Sequence, residues 1–185
     1  MTGRRRAQEP PERGSAAVDP EPDPESVARA IALRMLTAAP RSRKQLADAM
    51  IRRDVPPEVV TRVLDRFTEV GLVDDPEYAR ALVRSKRASR GLARRALAAE
   101  LRGAGIGEED AADALGQVDE DAERETARAL VRRKWRPDLD AVTQTRRLLA
   151  MLARKGYSYG LSRRVLDEMR DDGTDADRGL PDIEG

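Results

Sequence analysis

The chain has 185 residues, with 35 Lys and Arg against 34 Asp and Glu and neither histidine nor cysteine. Disulfides, zinc sites with thiolate or imidazole ligands, thiol nucleophiles and every triad with a histidine base are thereby excluded. Only five residues are aromatic, so cores must be built from Leu, Val, Ile, Met and Ala, which favours an all-α chain over a sandwich of strands.

The first 24 residues are rich in proline and charge, with scattered apolar positions, and read as a disordered N-terminal arm. Three groups of three helices follow. In the first group, residues 25–74, Val27, Ile31 and Met35 recur at helical spacing, with Ala30 and Leu33 expected to widen the buried face, and Pro40 ends the helix. Ser42-Arg43-Lys44-Gln45 has the form of a capping box, in which Ser42 and Gln45 satisfy the orphan amides of a second helix that buries Leu46 and Met50. Pro56-Pro57 opens a third helix with Val60, Val63, Leu64 and Phe67 inward, closed by Gly71.

The second group, residues 75–118, opens on Asp75-Pro76-Glu77, with Asp75 read as the cap of a helix that buries Tyr78, Leu82 and Val83. A break near Ser89-Arg90-Gly91 precedes a helix with Leu97 and Leu101, stopped by Gly103 and Gly105, and a third helix spans Glu108 to Val118. The third group, residues 119–170, starts with the acidic turn Asp119-Glu120-Asp121 and buries Ala127, Leu130 and Val131. After Pro137 a helix carries Val142, Leu148, Leu149 and Leu152 to a stop at Gly156, and a last helix runs from Gly160 to Met169. Residues 171–185 read as an acidic disordered tail.

The groups echo one another at a fixed interval. Leu46, Leu97 and Leu148 are each 51 residues apart, and the same interval aligns Met50 with Leu101 and Leu152, Asp54 with Gly105 and Gly156, and Val55 with Ile106 and Tyr157. Val63-Leu64, Ala114-Leu115 and Val165-Leu166 complete the pattern. Such self-similarity marks an array of supersecondary units, each burying its apolar face partly against its neighbours. Arrays of helices offer long binding surfaces, so the pattern points to a binder and not an enzyme.

Net charge is segregated. Residues 1–25 carry −2 and residues 171–185 carry −5, leaving +8 in between. A basic body suits an anionic partner, although a GC-rich genome would also raise the arginine content. The densest run is Arg84, Lys86, Arg87, Arg90, Arg94, Arg95 and Arg102 against the single Glu100, and a second cluster is Arg132-Arg133-Lys134. Phosphate backbones bind such clusters by releasing counterions; the blander reading is cations stabilising helix C-termini. The lone Trp135 beside the second cluster is expected as a satellite core residue more than as a stacking platform.

Asp74-Asp75, Glu108-Glu109-Asp110 and Asp119-Glu120-Asp121 each sit at a predicted helix start, where carboxylates are favourable without a metal, so no metal, cofactor or catalytic residue is expected. The chain has no phosphate-loop signature and no apolar run of the roughly 18 residues that would span a bilayer, and a cytoplasmic location is expected. Helix-turn-helix operator binding, as a transcriptional regulator, is the alternative function. Against it, the third helix of group two is acidic, and the chain has no asparagine with which to read adenine.

The run Gly71-Leu72-Val73-Asp74-Asp75, then Tyr78-Ala79, a basic helix through Arg84 and Lys86 to Arg90-Gly91, then Leu97, Leu101 and Gly105-Ile106, closely resembles the RecX regulatory family. The similarity extends from about Ala30 to about Leu166. The resemblance implies three tandem three-helix units in an elongated, curved array. It also implies a non-enzymatic modulator, most often an inhibitor, of the recombinase, ATPase and coprotease activities of RecA in DNA repair and the SOS response. The implied partner is the RecA filament on single-stranded DNA, with weak, largely sequence-independent binding to DNA alone and a monomeric chain. Carried over by position, Arg84, Lys86 and Arg90 would contact filament or DNA, with Arg87, Arg94, Arg95, Arg132, Arg133 and Lys134 as further candidates from charge density. Asp74, Asp75, Tyr78 and Gly91 would shape the unit.

Overall fold

A computed structural model describes the backbone of residues 23–177 and the side chains of residues 23–170; the expected arm lies almost wholly outside the described residues. The described chain is nine helices without a strand: α1 (Pro24–Ala38), α2 (Arg43–Ile51), α3 (Pro57–Glu69), α4 (Asp75–Arg90), α5 (Arg94–Ala104), α6 (Glu108–Leu115), α7 (Glu120–Lys134), α8 (Ala141–Arg154) and α9 (Tyr159–Asp177). Every pair of helices with extensive packing falls within one consecutive set of three. Each set has its own apolar core, centred on Leu46, Met50 and Leu64, on Leu97, Leu101 and Leu115, and on Leu148, Leu152 and Val165. The architecture is therefore a row of three units and not one globule.

The 51-residue echo is the signature of one turn made three times. Leu46, Leu97 and Leu148 are fully buried, as are Met50, Leu101 and Leu152 one helical turn later. Asp54, Gly105 and Gly156 then take positive φ angles of 59°, 77° and 92°, reversing the chain between the second and third helix of each unit. Val55, Ile106 and Tyr157 plug the core just beyond the turn. Only the first unit uses a non-glycine there, and aspartate is among the few residues that tolerate this region.

Several local expectations need correction. Asp74, not Asp75, caps α4, its carboxylate accepting from the Glu77 amide at 2.7 Å. Ala30 is exposed, Leu33 is 47% exposed and Val142 78% exposed. Two residues from Ile31 and six from Leu148, at about 100° per residue, both turn away from the core, and the faces are completed instead by Ala28, Ala32 and Gln144. The last helix, expected to stop at Met169, continues to Asp177 through the first part of the expected tail, while residues 178–185 lie outside the described residues. The capping box at Ser42 and Gln45 forms as read. None of the described helices is long and apolar enough to cross a membrane.

The junctions between units repeat too. At the first, Ser42 donates its hydroxyl to the Ala104 carbonyl (2.6 Å), and the Arg43 amide at the start of α2 donates to Asp75 (2.8 Å). At the second, the Ala93 amide donates to the Lys155 carbonyl (2.9 Å), and the Arg94 amide at the start of α5 donates to Glu123 (2.7 Å). Ser42 and Ala93, Arg43 and Arg94, and Ala104 and Lys155 are all 51 residues apart. A carboxylate of each following unit thus caps the second helix of the unit before it. Burial pushes the Asp75 carboxyl above its usual range, the penalty of placing that cap inside a junction. In the third unit Asp140 caps α8 itself, accepting from Val142 and Thr143 at 3.0 and 2.9 Å. The third unit needs no successor to satisfy this helix start.

Tyr157 adds a tie to the second junction, its buried hydroxyl donating to the Gly91 carbonyl at 3.0 Å. Burial raises the phenol from its ordinary 10.0 to about 12. The folded protein holds this proton more tightly than the unfolded chain, so the contribution is intact below pH 10 and is lost as pH rises toward about 12. Tyr157→Phe is expected to cost about 1–2 kcal/mol at neutral pH by stranding the carbonyl, and to lose this alkaline leg of stability. Urea unfolding at several pH values measures both.

Candidate nucleic-acid interface

The basic stretch divides by what its side chains touch. Arg87 reaches from α4 across the second junction to the Ala122 carbonyl (3.2 Å) and the Thr126 hydroxyl (3.0 Å). Arg94 donates to the carbonyls of Leu115, the last residue of α6, and of Val118 beyond it, the second at 3.2 Å, where a cation suits the negative end of the helix. Both arginines are thus engaged by the scaffold. Arg94→Ala is expected to lower stability by about 1–3 kcal/mol while leaving oligonucleotide affinity of the folded protein within about twofold. Thermal unfolding and fluorescence anisotropy on one preparation separate the two effects.

Arg84 pairs with Glu77 at 2.9 Å on the exposed face of α4, a contact of small energetic weight. Lys86 and Arg90 share Glu100, at 2.8 and 2.9 Å. The Lys86 ammonium beside Glu100 holds its carboxyl below the usual range. Among the described residues Arg95, Arg132, Arg133 and Lys134 have no carboxylate partner. Trp135, expected in a satellite core, is instead 38% exposed at the end of α7 beside Lys134.

The fold brings the two clusters together around a residue that sequence reading missed. Lys155, at the end of α8, donates its ammonium to the Arg90 carbonyl across the second junction. Burial, followed by the charges of Arg133, Arg90 and Lys134, pulls its pKa below the ordinary lysine value. No carboxylate among the described residues pairs with it. A cation crowded by three others, of which only Arg90 has a carboxylate partner, gains free energy from any anion that approaches. Arg90 at the end of α4 and Arg133 and Lys134 at the end of α7 supply this positive charge from two units, 43 or more residues apart along the chain.

Beside this cluster lies a cleft of about 570 Å³, lined mainly by the second unit and closed at its edges by one residue from each neighbour. Gln45 comes from the first unit, Tyr78, Lys86, Arg90 and Glu100 from the second, and Arg154 from the third. Gln45 donates to the Tyr78 hydroxyl at 3.2 Å, a tie across the first junction. Gly91 ends α4 at φ 59°, where a Cβ would lie 2.9 Å from a Leu130 methyl. Asp74, Asp75, Tyr78 and Gly91 therefore build the unit and its junctions. Among the described residues there is no group of acidic side chains able to hold a metal ion.

Three family models match the chain in order: the first three-helix domain of RecX over residues 28–67, the second over 74–115 and the third over 121–166. The chain is 50% identical over 175 residues to a regulatory protein RecX of Thermobifida fusca, covering 93% of each chain. It is 49% identical over 162 residues to a regulatory protein RecX of Streptomyces lividans, covering 86% of each. The crystal structure of RecX from Lactobacillus salivarius superposes with a TM-score of 0.70 at 21% identity, covering 80% of this chain and 97% of that one, a likeness of fold. The matched models cover the three units that the 51-residue echo marks out, and the chain belongs to the RecX family of regulatory proteins.

Proposed function

We propose that this protein binds the RecA filament on single-stranded DNA and restrains its recombinase, ATPase and coprotease activities without catalysing a reaction of its own. The observation that carries the reading is the convergence of Arg90, Arg133, Lys134 and Lys155 at the second junction, where only Arg90 has a carboxylate partner, beside a cleft lined mainly by the second unit. A row of units supplies length to span successive protomers of a polymer, and a cationic centre with an excess of positive charge supplies attraction to its DNA. Trp135 lies next to that centre and offers an exposed ring for stacking. The reading places the protein in the cytoplasm, where such filaments form.

Operator recognition fits less well. The third helix of the second unit, α6, has only 8 residues and carries Glu108, Glu109, Asp110 and Asp113, which a phosphate backbone repels. The deciding experiment sediments the protein with the host's RecA on single-stranded DNA, with and without ATP, and follows ATP hydrolysis alongside. Co-sedimentation with slowed hydrolysis is expected. Absence of both, or a preference for one duplex sequence over its scrambled version, would overturn the reading.

A further inference from the structure

Glu100 is the only carboxylate among the cations of residues 84–102, and its geometry is that of an occupant. One oxygen, Oε2, takes the Lys86 ammonium at 2.8 Å and the other, Oε1, takes the Arg90 guanidinium at 2.9 Å. A phosphodiester offers the same arrangement, two anionic oxygens on one centre, to the same two donors. Glu100 lines the cleft together with Lys86, Arg90 and Arg154, its side chain 31% exposed. It makes no hydrogen bond to backbone and none to another unit, in contrast to Arg87 and Arg94, which span elements by bonding carbonyls.

We propose that Glu100 is a built-in competitor for the phosphate backbone: it occupies the anion position between Lys86 and Arg90 and sets how weakly the cleft holds nucleic acid. This rests on the reading that the cationic cleft receives DNA. Binding of a phosphodiester at this point requires the two cations to exchange partners, so the net gain is small and the contact is easily broken. A regulator that must move on a polymer uses such a contact without being trapped on it. Two pairs are involved, each worth little at a surface, so removing the competitor changes affinity modestly but measurably.

The test compares the full chain with Glu100→Gln and Glu100→Ala by fluorescence anisotropy on a labelled oligothymidylate across a range of salt concentrations, with thermal unfolding of each variant. The alanine variant covers the case in which the glutamine amide goes on accepting from Lys86. The expected result is tighter binding, about threefold to tenfold, with a steeper salt dependence as up to two further counterions are released, and a melting temperature within a few degrees of the parent. Unchanged or weaker binding by folded variants, when the parent binds, overturns the competitor role and leaves the DNA-binding reading standing. If neither parent nor variant binds, both readings fall.

Discussion

Replacing Arg90, Arg133 and Lys134 together by alanine is expected to weaken binding to single-stranded oligonucleotide roughly fifteenfold at about 0.15 M salt and to flatten its salt dependence. Each phosphate contact on a single strand changes the logarithm of affinity by about 0.7 per decade of salt, and the two contacts without a carboxylate partner, at Arg133 and Lys134, give that factor between about 1 M and 0.15 M, Arg90 being held by Glu100. These three side chains are the ones whose charges depress Lys155, so the triple variant removes the crowding without touching a buried side chain. The inhibition of RecA-dependent ATP hydrolysis should shift to higher protein concentration by a similar factor. A control of equal charge, Arg34, Arg52 and Arg53 to alanine in the first unit, separates a site from a general cationic surface. Equal losses in the two variants would refute the localised site.

Gly156→Ala is expected to be the most damaging small substitution, lowering stability by about 2–4 kcal/mol. Its φ of 92° strains any side-chain-bearing residue by about 1–2 kcal/mol. The added Cβ would also lie 2.8 Å from both the Cβ and the backbone nitrogen of Ala96, in the neighbouring unit. Backbone on α5 cannot move aside without shifting the Ala93 to Lys155 hydrogen bond, and such overpacking adds about 1–3 kcal/mol. Because the units meet through few contacts, the variant should also uncouple the third unit, visible as a broadened or two-step urea transition. Gly71→Ala is the matched control, with a φ of 72° and open space around the added methyl, and should cost about 1 kcal/mol with a single transition. A loss for Gly156→Ala no larger than the control's would show that the junction yields to the added methyl.

The two experiments address different links. Charge removal tests how the surface acts on its partner and leaves the packing intact, whereas the glycine substitution tests whether the row of units behaves as one rigid ruler. On the proposed function, a variant that lost the second junction but kept its cations is expected to bind DNA and fail to span successive filament protomers.

Local pattern determined most of the fold. Helical spacing of Leu, Val and Ala, the capping box at Ser42, the proline at the start of α3 and the 51-residue echo are all properties of near neighbours in sequence, and each fixed an element or a turn that the structure contains. Where the reading failed within an element, at Leu33 and Val142, the helical phase itself held the answer. Asp74 and Asp75 could not be told apart from sequence, because the carboxylate that caps α4 and the one that caps α2 are adjacent in the chain and face different units.

Which cations are structural and which are free was decided only by tertiary structure. Arg87 and Arg133 look alike in the sequence, yet one bonds a carbonyl 35 residues away in the next unit and the other has no carboxylate partner among the described residues. A charged side chain on a helix surface leaves no periodic trace of its partner, since that partner is set by how units dock and not by the spacing along its own helix. Lys155 was hidden for the same reason, although the echo that aligns it with Ala104, a junction residue, was already present in the chain. The sequence by itself determined a row of three helical units with a basic body; docking of the second unit on the third gathered Arg90, Arg133, Lys134 and Lys155 into one centre.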